Sequence, residues 1–159
     1  MNHQIKLDVD RLHKLDLSPA SAIVEKTLLD IKTSFPESLI TFEIDYPREE
    51  TDPRELSEIP EIRLWFLRLD TRYPWLPFLL DWKSELPRYI AMLVPHQFHR
   101  TDGIQYNPEA LEIAIAQKTF IISDWLRDRG IPAQEKLKSM WMTVGYNLDD
   151  SFFDLFKNN

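Results

Sequence analysis

The sequence predicts an α+β fold: a single domain in which a mostly antiparallel sheet of about four strands packs against three helices, one of them long and largely buried. Three observations carry this. Apolar and polar residues alternate near residues 4–9 and 39–45, the period of a half-buried strand. Apolar residues recur at helical spacing near residues 19–34, 107–129 and 133–144. The chain has 159 residues, 43% of them apolar, and one domain of that length buries roughly 70% of its unfolded surface.

In chain order, Ile5, Leu7 and Val9 alternate with Lys6 and Asp8, a first strand. Ser18-Pro19 opens a helix, with Ser18 as the cap, and Ile23, Val24, Thr27, Leu28, Ile31 and Phe35 form its apolar stripe until Pro36 stops it. Ile40, Phe42 and Ile44 alternate with Thr41, Glu43 and Asp45, a second strand. Residues 45–61 hold three prolines and seven carboxylates against Arg48 and Arg54. They read as a mobile acidic loop with a helical turn near Arg54-Glu55-Leu56. At residues 61–69 the two periods compete. Ile62, Leu64 and Phe66 fit a strand, whereas Ile62, Trp65, Phe66 and Leu69 fit a helix; shortness and aromatic content favour a strand.

The segment Tyr73 to Trp82 carries Pro74 and Pro77, which deny it a regular start. Residues 88–94 are apolar on both faces and predict a central strand ended by Pro95. A polar loop with an Asp102-Gly103 turn follows, then Asn107-Pro108-Glu109, which caps and opens the long helix. Leu111, Ala114, Ile115, Ile122, Trp125 and Leu126 form its stripe, and Ile113, Ala116, Phe120 and Ile121 widen it, predicting burial on most sides. Gly130 is its natural end. A further helix follows Pro132 and stops at Gly145, and Asp149-Asp150 starts a last apolar turn through Phe152, Phe153, Leu155 and Phe156 that should dock on the core.

Composition excludes several functions. Without cysteine the chain has no disulfide, thiolate nucleophile or cysteine-held cluster. A net charge of −7 argues against nucleic acid and favours a basic protein partner. Three glycines are too few for a phosphate-cradling loop. No apolar run reaches the roughly 18 residues of a membrane span, and the N-terminus lacks signal- or transit-peptide character, so the expected compartment is the cytoplasm.

Two groups of residues suggest a site. Trp75, Phe78 and Trp82, set beside two prolines, suit a transient apolar contact. The loop from His96 to Tyr106, with Phe98, His99, Arg100 and Asp102, offers polar and aromatic groups near them. The expected partner-binding surface is therefore Trp75, Phe78, Trp82, His96, Phe98, His99, Arg100, Asp102 and Tyr106, flanked by the acidic loop, with no catalytic residue, cofactor or metal. The alternative is a small metal-dependent enzyme built on His96, His99 and Asp102, two imidazoles and a carboxylate lacking an evident further ligand.

Several stretches resemble one family. They are Ile62-Arg63-Leu64-Trp65-Phe66-Leu67-Arg68-Leu69-Asp70-Thr71-Arg72-Tyr73-Pro74-Trp75-Leu76-Pro77-Phe78-Leu79-Leu80-Asp81-Trp82, Val94-Pro95-His96-Gln97-Phe98, residues 103–113 beginning Gly103-Ile104-Gln105-Tyr106, and residues 145–153 beginning Gly145-Tyr146-Asn147. All are similar to the chlororespiratory reduction 6 family of cyanobacteria and chloroplasts. The resemblance implies a soluble, non-catalytic assembly factor or chaperone for the hydrophilic arm of the photosynthetic NAD(P)H dehydrogenase-like complex, NDH-1. It also implies transient binding of that complex's small ferredoxin-like iron–sulfur subunit, and, with no transit peptide, a cyanobacterial cytoplasm.

Overall fold

A computed structural model describes residues 2–31 and 39–157. Residues 32–36, where the first expected helix ends, and the side chain of Phe156 lie outside the described residues. The chain opens with strand β1 (Asn2–Leu7), helices α1 (Val9–His13) and α2 (Ser18–Asp30), and strand β2 (Leu39–Ile44). Asp8 caps α1, accepting the Arg11 N–H at 2.8 Å. Ser18 does not cap α2. Leu17 occupies that position without a side-chain bond, and the Asp16 carboxylate takes the Ser18 N–H at 2.9 Å. An Asx turn two residues upstream has replaced the expected cap.

The two strands pair in parallel, Asn2 opposite Leu39 and Leu7 opposite Ile44. This corrects the expected antiparallel sheet: two intervening helices give the crossover a parallel pair needs. Among the described residues the sheet gains a single further bridge, between Ile40 and Leu80.

The other expected strands are helices. Residues 61–69 belong to α3 (Pro60–Arg72), with a proline in its first turn. Ile62, Trp65 and Leu69 are fully buried and Phe66 nearly so, while Leu64 is 48% exposed. A strand would have buried Leu64 and turned Trp65 outward; burying the indole decides for the helical period. Residues 88–94 lie mostly in α4 (Leu86–Leu93), again with proline in the first turn. Its Tyr89, Ile90, Ala91 and Met92 are all buried. A short run apolar on both faces reads the same for a central strand and a central helix.

The polar loop expected at 96–106 is an antiparallel hairpin, β3 (His96–His99) and β4 (Gly103–Tyr106), turned at Gly103 with φ of 74°. The long helix α5 (Pro108–Asp128) then starts at the expected cap, Asn107 accepting the Ala110 N–H at 3.0 Å. It ends before Gly130 at φ 68°. Helices α6 (Gln134–Met142) and α7 (Asp150–Lys157) close the chain. The described residues thus form a mixed fold of seven helices and two two-stranded sheets, not a four-stranded sheet on three helices.

The core centres on Phe66, whose ring makes edge contacts with Phe42 at 4.9 Å, Trp65 at 5.1 Å and Tyr89 at 5.7 Å. From α5 it takes Ile115, Ile122, Trp125 and Leu126. Ile113, Phe120 and Ile121 stay 59%, 40% and 37% exposed, so α5 buries one face and not most of its surface. Phe153 docks α7 on the core, whereas Leu155 is exposed.

Candidate partner-binding surface

The residues singled out as one surface fall into two groups along α5. Lys118 donates to the Pro74 carbonyl at 3.0 Å, and the Trp75 ring stacks on Trp125 at 4.7 Å and 15°. The Tyr73 to Trp82 segment therefore lies along the second half of the helix. The hairpin directly precedes its first residue. Positions 108 and 125 are about 26 Å apart at 1.5 Å per residue.

At the aromatic end, three layers hold Trp125. Trp75 covers one side of the indole, Phe78 reaches it at 6.3 Å, and the Arg129 guanidinium sits 4.1 Å from the ring centre. Phe78 is only 4% exposed. Its assignment to the binding surface is corrected: it fills the gap between Trp125 and Trp82. Trp82 and Trp75 are half-buried, and the Trp82 indole donates to the Phe78 carbonyl at 3.1 Å. Both rings are committed to holding their own segment.

Behind them lies a polar contact that sequence reasoning missed. The Lys118 ammonium bonds Asp70, and the Tyr89 hydroxyl donates to Asp70 at 3.1 Å. Burial lowers the Lys118 amine from its ordinary value, with Asp70 opposing, and raises the Tyr89 phenol well above its own. The signal was a lysine inside the apolar stripe of α5. A buried cation needs a buried anion, but its partner stands 48 residues away in sequence.

At the hairpin end, strand alternation sorts the residues. His96 and Phe98 face inward and half-buried, while Gln97 and His99 face solvent. His96 bonds the Ser57 hydroxyl through Nε2 at 2.8 Å and the Val94 carbonyl through Nδ1 at 2.9 Å. Ser57 is fully buried and sits in a 3₁₀ turn, Leu56–Glu58, of the acidic segment. Tyr106 donates to the Pro87 carbonyl at 2.8 Å, and burial pushes its phenol up to about 12.

The acidic segment is hydrogen-bonded along its length. Glu55 and Glu58 form a reciprocal capping box, Arg48 bonds the Arg54 carbonyl, and the Tyr46 hydroxyl reaches Glu61 at 3.3 Å. Arg54 grips Asp52, whose carboxyl is held down to about 2 by that hydrogen bond. Glu49 and Glu50 remain exposed. The Ser57–His96 bond joins the hairpin to the acidic segment.

The same geometry does not bring His96, His99 and Asp102 together as one metal site. His96 and His99 are three residues apart on a strand, so their imidazoles project from opposite faces. Among the described residues no three of His, Cys, Asp and Glu come together as a metal site. His99 contacts the Thr101 hydroxyl at 2.9 Å and Asp102 at 3.3 Å, both through Nδ1. A nucleophile–base–acid relay needs the two partners on different ring nitrogens.

The family model for chlororespiratory reduction 6 matches residues 7–155. The chain belongs to the chlororespiratory reduction 6 family. The match takes in both ends of α5, the acidic segment and nearly all of α7. The family's name links it to NDH-1-related function. No solved structure matches the chain. No helix among the described residues is long and apolar enough to cross a membrane.

Proposed function

We propose that this protein is a non-catalytic assembly factor for the hydrophilic arm of NDH-1, working in the cytoplasm of a cyanobacterial cell. It binds the small ferredoxin-like iron–sulfur subunit transiently, as a chaperone, and binds no nucleic acid. The observation that carries this reading is the family match across almost the whole chain. The client-facing surface is the hairpin end, with Gln97, His99, Arg100 and Asp102 exposed, together with the acidic segment that Ser57 ties to it, where Glu49 and Glu50 are exposed. Acidic groups steer a basic partner and speed its arrival more than they tighten the complex, which suits transient binding. With no cysteine, the chain cannot take over the client's cluster ligands.

The test is affinity purification of the tagged protein from its native cell, with mass spectrometry of what accompanies it. Enrichment of the ferredoxin-like subunit, or of partial assemblies without the whole complex, is the expected result. The whole complex at equal amounts would make the protein a structural subunit, and absence of every NDH-1 protein would contradict the reading.

A further inference from the structure

The apolar residues that α5 leaves outside the core do not scatter. Ile113 and Phe120 are seven residues apart, two helical turns, and so lie on one line along the helix. Ile121 flanks that line. The Phe120 ring meets Phe152 of α7 at 5.4 Å, and Leu155 stands three residues beyond Phe152 on the same side of α7. The result is an apolar ridge on which Ile113 is 59%, Phe120 40% and Leu155 56% exposed. Neighbouring large apolar groups left in water mark an interaction site more often than a single exposed residue does.

The rim of the ridge is mostly acidic. Glu109, Glu112, Asp124 and Asp128 are exposed on α5, and Asp150 and Asp154 are exposed on α7. Against them stand Arg127, which is paired with Asp124, Lys138 of α6, which is paired with Asp150, and Lys118, which is buried on Asp70, so the rim keeps a net negative charge. A second copy would bring this acidic rim against itself. An anionic lipid surface would be repelled by it. A protein segment with apolar residues flanked by lysine and arginine meets both the ridge and its rim.

We infer that the α5–α7 ridge is a second docking surface, which takes a basic amphipathic helix of a protein partner. A two-turn line of side chains matches the spacing of such a helix packed along α5. The inference rests on the binding-protein reading, but it concerns a face distinct from the hairpin end.

The test is site-specific photo-crosslinking in the native cell. Benzoylphenylalanine replaces Ile113 in one strain and Gln97 in another, and the crosslinked peptides are sequenced. Position 113 should capture a protein segment with apolar residues at three- and four-residue spacing and flanking Lys or Arg. Ile113→Ser with Phe120→Ser should cut recovery of that same protein about tenfold or more, as hot-spot loss does, with the circular-dichroism melt unchanged. An acidic or non-amphipathic segment, lipid, or another copy of this chain at position 113 overturns the inference. So does capture at position 97 alone, which leaves the binding-protein reading standing. Capture at neither position sinks both.

Discussion

The two ends of α5 carry groups that look alike in the sequence and are used differently in the fold. At the Trp125 end, rings stack on rings and Phe78 is buried between them. At the hairpin end, hydrogen bonds from His96 and Tyr106 hold a small sheet whose outer face stays wet. An aromatic-rich, proline-broken stretch therefore need not be an exposed contact; here it is a lid on the core. The proposed binding face sits where few apolar groups are buried and polar groups are hydrogen-bonded. Removing groups at the first end should cost stability, and removing rim groups at the second should cost binding.

The sharpest way to break the comparison is Trp125→Ala. It removes the partner of Trp75, Phe78 and Arg129 together, and should destabilise the protein by about 4 kcal/mol in urea unfolding, within the usual cost of deleting a large core ring. A loss under about 1 kcal/mol would mean that the aromatic end is not core. Next is Lys118→Met, which leaves Asp70 without its cation in a mostly buried setting. Breaking such a pair costs about 3 kcal/mol, and restoring the balance with Asp70→Asn in the same chain should recover part of it.

At the hairpin end the effects should be smaller and of a different kind. His96→Ala orphans the buried Ser57 hydroxyl, at about 2 kcal/mol. Amide exchange should quicken across residues 55–58, because the acidic segment loses its tie to the hairpin. Unchanged exchange there would show that the tie does not fix the surface. Smallest is Tyr106→Phe, at about 1 kcal/mol for the lost bond to Pro87, and it carries a pH signature. The Tyr106 phenol is raised from 10.0 to about 12 by burial, so the folded state keeps a proton that the unfolded chain releases earlier. Its stabilisation is complete below pH 10 and is lost as pH rises from 10 through 12. Tyr106→Phe should flatten the fall of the urea midpoint across that window. Lys118 and Tyr89, which also respond to alkali, are common to both proteins and cancel in the comparison.

How far the sequence reveals the molecule follows from the same contrast. Caps and breakers act locally, so the start of α5 at Asn107, its stop at Gly130 and the turn at Gly103 were all readable. Strands β1 and β2 were readable from their alternation, but not their parallel pairing, which depends on the crossover between them. Residues 61–69 and 88–94 were misread because a short, densely apolar run satisfies both periods; only the burial of Trp65 and Tyr89 from every side selects the helix. The candidate surface was half readable. Nothing local told that most of a 21-residue helix would stand between Trp75's partner and the hairpin, or that Ser57 would reach His96.

The most direct test of the central claim is amide hydrogen exchange of the protein with and without the purified ferredoxin-like iron–sulfur subunit. The account predicts slowed exchange across residues 97–105 and 45–58, with residues 73–82 unchanged. Protection confined to residues 73–82, or no protection anywhere at a client concentration that saturates pull-down, would contradict it.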